Sequence, residues 1–227
     1  MNDAAMLDNI FWHAMTGPQA KFALGGATAR RFAPGFSPML GFADAERPDF
    51  GALVPFCEAG ERFYCGAWSG PAPAGWTIEF EAPMLRMVWH APTPDAAEAF
   101  EPVPLGAPHV AQAVELATLT RPGPFGPRTI ELGDYIGCFE RGRLVAMAGE
   151  RLHAGPWREL SGICTHPDFQ GRGLARRLMV TLLRRELQRG ETPFLHVLSS
   201  NTGARQLYER MGFRVQAEPG VRVVSRR

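Results

Sequence analysis

The clearest pattern of apolar and polar positions lies between residues 173 and 188. Leucines recur there at every fourth position, and two more widen the stripe, giving Leu174, Leu178, Leu182, Leu183 and Leu187. This spacing is close to the 3.6-residue repeat of an α-helix, so the leucines fall on one face and the intervening arginines on the solvated face. The pattern predicts an amphipathic helix, closed by Gly190 as its C-cap.

The rest of the C-terminal half alternates predicted strands and helices. Strands are predicted at 134–139, 144–150, 159–165, 193–198 and 213–224, and helices at 110–119 and 201–211. The turn between the first two strands, residues 140–143, indicates a hairpin. In this order the elements predict a mixed α/β sheet with helices on its faces.

The first ninety residues have a different character. A short helix is predicted at 8–15, and brief strands broken by Gly and Pro at 52–57, 62–67, 76–80 and 85–89. Five prolines follow between residues 91 and 108, a density that forbids a helix and suits an extended linker. We expect a mostly-β α+β flank at 1–90, a Pro-rich linker at 91–104 and a catalytic domain at 105–227. Because so small a flank with many large apolar residues would bury little surface alone, we expect it to dock on the catalytic domain.

Composition and charge argue against several classes of protein, among them nucleic-acid-binding and membrane proteins. The 227 residues carry 24 basic and 23 acidic side chains, a net charge of +1, with no basic stripe of the kind that nucleic-acid binding needs. The N-terminus lacks the pattern of a signal peptide, and no run approaches the roughly 18 apolar residues of a membrane helix. We expect a cytoplasmic protein without nucleic-acid or membrane partners. The four cysteines lack zinc spacing, so we expect buried free thiols and no metal.

The loop that precedes the amphipathic helix carries the chemistry. It runs Gln170-Gly171-Arg172-Gly173-Leu174-Ala175. Backbone N–H groups at a helix N-terminus lack intrahelical partners, and the helix dipole adds positive charge, so a glycine-rich turn there is suited to a pyrophosphate. A dinucleotide fingerprint is excluded because residue 176 is Arg rather than Gly, and a P-loop because no Gly-Lys-Ser/Thr follows.

Two segments resemble signatures of one enzyme superfamily. Gln170-x-x-Gly173-x-Ala175 resembles the acetyl-CoA signature of the GNAT superfamily of N-acyltransferases. Thirty residues later, the run from Asn201 to Phe213 resembles its second signature, N-x-x-A-x-x-L-Y-x-x-x-G-F. The similarity spans about residues 105–224 and leans toward the branch that resembles glycine-N-acyltransferase. It implies a mixed central sheet in which two parallel strands splay apart to admit the pantetheine arm.

The resemblance implies a set of cofactor-binding residues. They are Ile163, Cys164, Thr165, Gln170, Gly171, Arg172, Gly173, Leu174, Ala175, Asn201, Ala204, Arg205 and Tyr208. Asn201 is expected to bond the pantetheine amide, to cap its helix, or to do both. Cys164 is expected to pack rather than to act as a nucleophile, and His166 to belong to the loop.

Amide formation from a thioester needs a base for the amine and a proton for the departing thiolate. Tyr208 matches the superfamily tyrosine that often donates this proton, the alternative being a ring that only packs beside the cofactor. Glu150 and Glu159 are the candidate bases, each acting directly or through water, and the alternative for each is a surface or salt-bridged carboxylate.

Together these features predict an N-acetyltransferase that moves the acetyl group of acetyl-CoA directly to a primary amine of a small molecule or peptide. Two alternatives stay open: an acyltransferase that uses another acyl-CoA, and a degenerate domain that binds CoA as a sensor or scaffold. The sequence does not specify the acceptor and leaves a homodimer open.

Overall fold

A mixed sheet of nine strands organises residues 3–95 and 101–227, the part of the chain that the computed structural model describes. The strands are β1 (Ala23–Gly25), β2 (Ala29–Phe32), β3 (Leu40–Phe42), β4 (Arg62–Gly66), β5 (Trp76–Trp89), β6 (Val103–Pro104), β7 (Tyr135–Glu140), β8 (Arg143–Ala154), β9 (Trp157–Thr165), β10 (Thr192–Leu198), β11 (Phe213–Ala217) and β12 (Gly220–Arg226). The helices are α1 (Asp3–Asp8), α2 (Ile10–Thr16), α3 (Val110–Thr120), α4 (Leu174–Gln188) and α5 (Thr202–Met211). In the large sheet the order is β4, β12, β5, β10, β9, β8, β7 and β6, while β11 also pairs with β5 and β1–β3 form a small sheet of their own.

The centre of the large sheet opens. β9 and β10 run parallel and are in register at Thr192↔Trp157, Pro193↔Arg158 and Phe194↔Glu159. Beyond Phe194 and Glu159 the two strands continue without pairing to each other. β9 also gains one residue against β8 near Gly162, whose φ of 63° lies in the left-handed region. Such a bulge turns the strand out of plane and is easiest at glycine. The expected α/β fold with splayed parallel strands is confirmed.

The N-terminal region contributes to this same sheet. β5 pairs with β10 along one edge, and with β12 and then β11 along the other. The C-terminal strand β12 lies in turn between β4 and β5. Strands from before and after the predicted linker therefore alternate in one hydrogen-bonded ladder. Part of that linker, residues 96–100, lies outside the described residues.

Two layers cover the sheet. α4 packs one face through Leu178 and Leu182, against Leu195 of β10. On the other face α2 packs with Phe194 and Leu152. Because side chains alternate along a strand, Phe194 and Leu195 belong to these two different cores. No helix among the described residues is long and apolar enough to cross a bilayer.

Three local predictions need correction, and proline explains each. Residues 52–57 form a short 3₁₀ helix, Gly51–Phe56, rather than a strand, because Pro55 has no N–H for a ladder. The strands predicted at 76–80 and 85–89 are one strand, because Pro83 lies where the pairing of β5 with β12 on one edge ends and its pairing with β10 on the other edge begins. The strand predicted at 213–224 is two, β11 and β12, separated around Pro219.

The shared ladder yields a prediction about fragments. Residues 105–227 expressed alone would leave β10 and β11 without β5, and β12 without β4 and β5. Exposed strand edges and uncovered apolar faces promote aggregation. We expect this fragment to be poorly soluble, or to bind CoA without acceptor selectivity, when it is compared with the full chain by size-exclusion chromatography and calorimetry. A soluble, monomeric and fully active fragment would show instead that residues 1–90 are a separate module.

Candidate active site

A groove of about 710 Å³ opens between the free end of β9, the start of α4 and α5. Most of the predicted cofactor-binding residues line it: Ile163, Cys164, Thr165, Gln170, Gly171, Gly173, Leu174, Ala175, Asn201, Ala204 and Tyr208. Two do not, since Arg172 lies over the Phe169 ring at 4.7 Å and Arg205 pairs with Glu209 at 2.8 Å. Segments that are far apart in the sequence thus converge on one surface.

The glycine loop has the geometry of an anion cradle. Gly171 and Gly173 adopt φ of 75° and 71°, and a Cβ at either position would meet no atom within 4 Å. The glycines are therefore required by backbone conformation, and both positions are open. Arg177 N–H bonds the Gly173 carbonyl, so the N–H groups of residues 174–176 precede the first intrahelical bond of α4. The open glycine backbone and the N–H groups at the start of α4 are therefore suited to bind a pyrophosphate.

Asn201 begins α5 at the other wall of the groove. Its side chain accepts a hydrogen bond from Ala204 N–H at 3.2 Å, the N-cap role that was one of the two expected of it.

Tyr208 lies on α5 and is 8% exposed. Burial raises its pKa to about 12, with a smaller contribution from the nearby Cys164 thiol. The phenol is therefore protonated across the neutral range and has a proton to donate.

Cys164 faces the groove as an inert thiol. Burial raises its pKa to about 11, which leaves little thiolate at neutral pH. All four cysteines are free and buried, as expected. His166 holds the loop, since its Nδ1 accepts from Asp168 N–H at 3.2 Å and its Nε2 lies 3.0 Å from Arg143 Nη2.

Glu159, one candidate base, is fully buried and paired. Arg151 donates to both carboxylate oxygens at 2.9 and 2.8 Å, and His196 Nδ1 lies 2.8 Å from Oε1. Burial alone would raise the pKa of Glu159, but the Arg151 guanidinium and the His196 hydrogen bond outweigh it and hold the pKa at about 2. The carboxylate is thus ionised, and its negative charge is already balanced by the groups that bind it.

Glu150, the other candidate base, lies near the C-terminal end of α4. Arg189 Nη2 donates to it at 2.5 Å and Arg158 Nε is 3.6 Å away. Burial nevertheless raises its pKa. α4 has 15 residues, so this end is about 22 Å along the helix from the glycine loop. Neither Glu150 nor Glu159 is among the described residues that line the groove.

Sequence reasoning missed three side chains near the strand opening. Arg151 and His196 pair with Glu159, and the buried Tyr135 hydroxyl has no hydrogen-bond partner among the described residues. A Cβ on Gly162 would lie 3.7 Å from that hydroxyl. No local pattern reveals these residues, because they meet only through the pairing of β7, β8, β9 and β10.

Comparison with known proteins decides the family. A family model described as FR47-like protein matches residues 135–222. N-alpha-acetyltransferase RimI of Mycobacterium tuberculosis is 35% identical over 127 residues, which cover 50% of this chain and 79% of the relative. The chain belongs to the GNAT family of acetyltransferases.

Solved structures extend the GNAT likeness to the whole chain. A putative GNAT acetyltransferase from Novosphingobium aromaticivorans superposes with a TM-score of 0.85 at 32% identity, covering 97% of this chain and 98% of that one. A GCN5-related N-acetyltransferase from Kribbella flavida shares the fold, with a TM-score of 0.56 at 16% identity, covering 98% and 93%. The N-terminal region of this GNAT protein therefore has a counterpart in another structure. Membership of the glycine-N-acyltransferase-like branch stays a prediction.

The glycine cradle gives a prediction with a matched control. Gly173→Asp places a negative charge where the pyrophosphate is expected, so affinity for CoA should fall at least tenfold, about 1.4 kcal/mol, by calorimetry. Gly190 is the control, because its φ of 72° and open surroundings match those of Gly173 at the far end of α4. Gly190→Asp imposes the same backbone strain and charge and should leave CoA binding intact. Equal affinities for CoA in two folded variants would contradict the cradle.

A buried carboxyl group on α4 gives a prediction about pH. Glu186 is buried, neither of its oxygens has a partner among the described residues, and burial together with the charge of Glu150 raises its pKa well above the ordinary value. A raised carboxyl pKa in the folded state means that stability is lost as pH rises from the unfolded value of about 4.3 toward the folded one. Glu186→Gln should remove this loss. The free energy of unfolding of the variant, relative to that of the wild type, should therefore be higher at pH 8 than at pH 5. Urea unfolding at both values checks this, with the exposed Glu140→Gln as control; parallel changes in all three proteins would contradict it.

Proposed function

We propose that this GNAT protein transfers an acetyl group from acetyl-CoA to a primary amine of a small molecule or peptide. One observation carries the proposal: a single groove joins the anion cradle at α4, the unpaired edge of β9 and a buried, protonated tyrosine. The similarity to RimI, an N-alpha-acetyltransferase, supports an acetyl donor and an amino acceptor.

Binding follows from the two walls of the groove. The N–H groups that begin α4 would hold the pyrophosphate. Within the part of the chain that the structure describes, the backbone of Ile163, Cys164 and Thr165 has no partner strand on the side of β10, so its N–H and C=O groups would pair with the amides of the pantetheine arm. When bound there, acetyl-CoA supplies an activated thioester to the amine.

Direct transfer fits the side chains better than a covalent enzyme intermediate. Cys164 is held as a thiol, and its Sγ has no histidine to activate it among the groove-lining residues that the structure describes. Tyr208 would give its proton to the departing sulfur. Neither candidate carboxylate is well placed to accept the amine proton, because the charge of Glu159 is balanced by its neighbours and Glu150 lies at the far end of α4.

The alternatives differ in what they release. A domain that binds CoA as a sensor would bind acetyl-CoA without producing free thiol. An acyltransferase for another donor would release thiol faster from propionyl-CoA or a longer acyl-CoA than from acetyl-CoA. Thiol release measured for the full chain across a panel of acyl donors and amines separates these functions.

We expect amine-dependent thiol release from acetyl-CoA, and Tyr208→Phe should lower kcat at least 100-fold, as for a lost general acid. The acetyl-CoA KM should stay nearly unchanged, because the hydroxyl acts mainly in the transition state. Calorimetry with CoA and thermal unfolding serve as controls for packing. An equal loss of CoA affinity would assign Tyr208 a packing role, and CoA binding without thiol release for any amine would favour the sensor.

A further inference from the structure

Three charged or titratable side chains meet where β9 and β10 separate. Glu159 lies between Arg151 on β8 and His196 on β10, and each of the two side chains is within 3 Å of its carboxylate oxygens. The three side chains are 0%, 9% and 5% exposed, respectively. An unpaired charge is costly in a buried place, so the bidentate pairing with Arg151 fixes the position of the Glu159 carboxylate.

The cluster borders the open part of the sheet. Phe194↔Glu159 is the last paired position between the two strands. His196 lies two residues further along β10, and Ile163, on the groove wall, four residues further along β9. At about 3.3 Å per residue, His196 stands along the gap between the last pair and the groove. Its ring contacts Phe194 at 5.5 Å between centroids, on the face that α2 covers.

The contacts of Glu159 set the tautomer of His196. The carboxylate is ionised and can only accept, so the hydrogen bond between it and His196 requires a proton on Nδ1. In the neutral ring Nε2 then carries the lone pair. Within residues 3–95 and 101–227, the hydrogen bond that the His196 ring makes is the one from Nδ1 to Glu159, so it does not involve Nε2. Arg151 holds Glu159 from the other side, so the ring is oriented as in enzymes where a carboxylate fixes a catalytic histidine.

A cavity lies between the His196 ring and the N-terminal region. The ring lines this cavity of about 60 Å³ with Phe11 of α2, Phe42 of β3 and Met84 of β5. The Phe11 ring centroid lies 6.0 Å from that of His196. A cavity of this size admits an amino group with a few further atoms, or several waters, and its walls are mainly apolar.

We propose that His196 is the general base of acetyl transfer and that Glu159 is the residue that positions it. The inference rests on the acetyltransferase function proposed above. The acceptor nitrogen bonds the acetyl carbon as the C–S bond breaks. The amine proton passes to His196 Nε2, directly or through one water, and the sulfur receives the proton of Tyr208.

Other charged groups also face His196. Arg86 is its cross-strand partner on β5 and pairs with Asp8, and both residues line the same cavity. Glu159 and, behind it, Arg151 complete the set. Four charged side chains, Arg86, Asp8, Glu159 and Arg151, are therefore the neighbours of His196.

The main test is His196→Gln in the full chain. We expect kcat for thiol release from acetyl-CoA to fall at least 100-fold, as for a lost general base, with an unchanged acetyl-CoA KM. The fall of kcat/KM toward low pH in the wild type should disappear in the variant. Glu159→Gln should lower kcat less and shift that limb rather than abolish it. The control is His153→Gln, a half-buried histidine 3.9 Å from Glu191 outside this cluster, which should leave both parameters unchanged.

A second measurement needs no variant. Nitrogen NMR of the wild-type histidines should show His196 protonated at Nδ1 at neutral pH, and an Nε2–H tautomer would overturn the proposal. A folded His196→Gln protein within threefold of wild-type kcat, with its acid limb intact, would also overturn it. A wild type that binds CoA but releases no thiol with any amine would refute the proposed function instead.

Discussion

Two parallel strands part in the middle of a sheet that is otherwise continuous, and the site depends on that separation. β9 keeps its pairing with β8 and β10 keeps its pairing with β5 while the edges between them come apart. Those inner edges carry backbone N–H and C=O groups that cannot pair across the gap, and unpaired backbone groups away from water are costly. The bulge at Gly162 adds to the opening because it rotates the end of β9 relative to β8. A ligand with amide groups at matching spacing would satisfy the same edge.

A gap of this kind needs rigid support on both sides. β8 supplies it for β9, and β5, a strand of 14 residues from the N-terminal half, supplies it for β10. The N-terminal region is thus part of the frame that holds the gap open. Gln19 fastens it further, donating to the carbonyls of Leu132 and Arg151 at 3.1 and 2.6 Å. The cavity at His196 is therefore lined by residues from both halves of the chain.

Features encoded within one segment could be predicted from the sequence. The four-residue recurrence of leucine predicted α4, and the glycine pattern before it predicted a loop whose glycines adopt positive φ. Features that depend on pairing between distant segments could not. Nothing in the run Trp76–Trp89 indicates that it lies between β10 and β12. Likewise Glu159 could be selected as a carboxylate near the groove, but its partner His196 is 37 residues away and becomes visible only through the order of strands.

Two buried carboxyl groups, Glu159 on β9 and Glu186 on α4, have pKa values shifted in opposite directions by the same physical rule. Burial raises the pKa of a carboxyl group unless nearby cations and hydrogen bonds compensate for the lost hydration of its charged form. Glu159 has a bidentate arginine and a histidine within 3 Å and stays ionised. Glu186 has no such partner among the residues that the structure describes, and burial drives it toward its neutral form. A carboxylate that is fully compensated has little tendency to take a proton from a substrate, yet it can hold a neutral imidazole in one tautomer. This division of roles makes the histidine, rather than the carboxylate that the sequence pattern suggests, the group best suited to accept the proton.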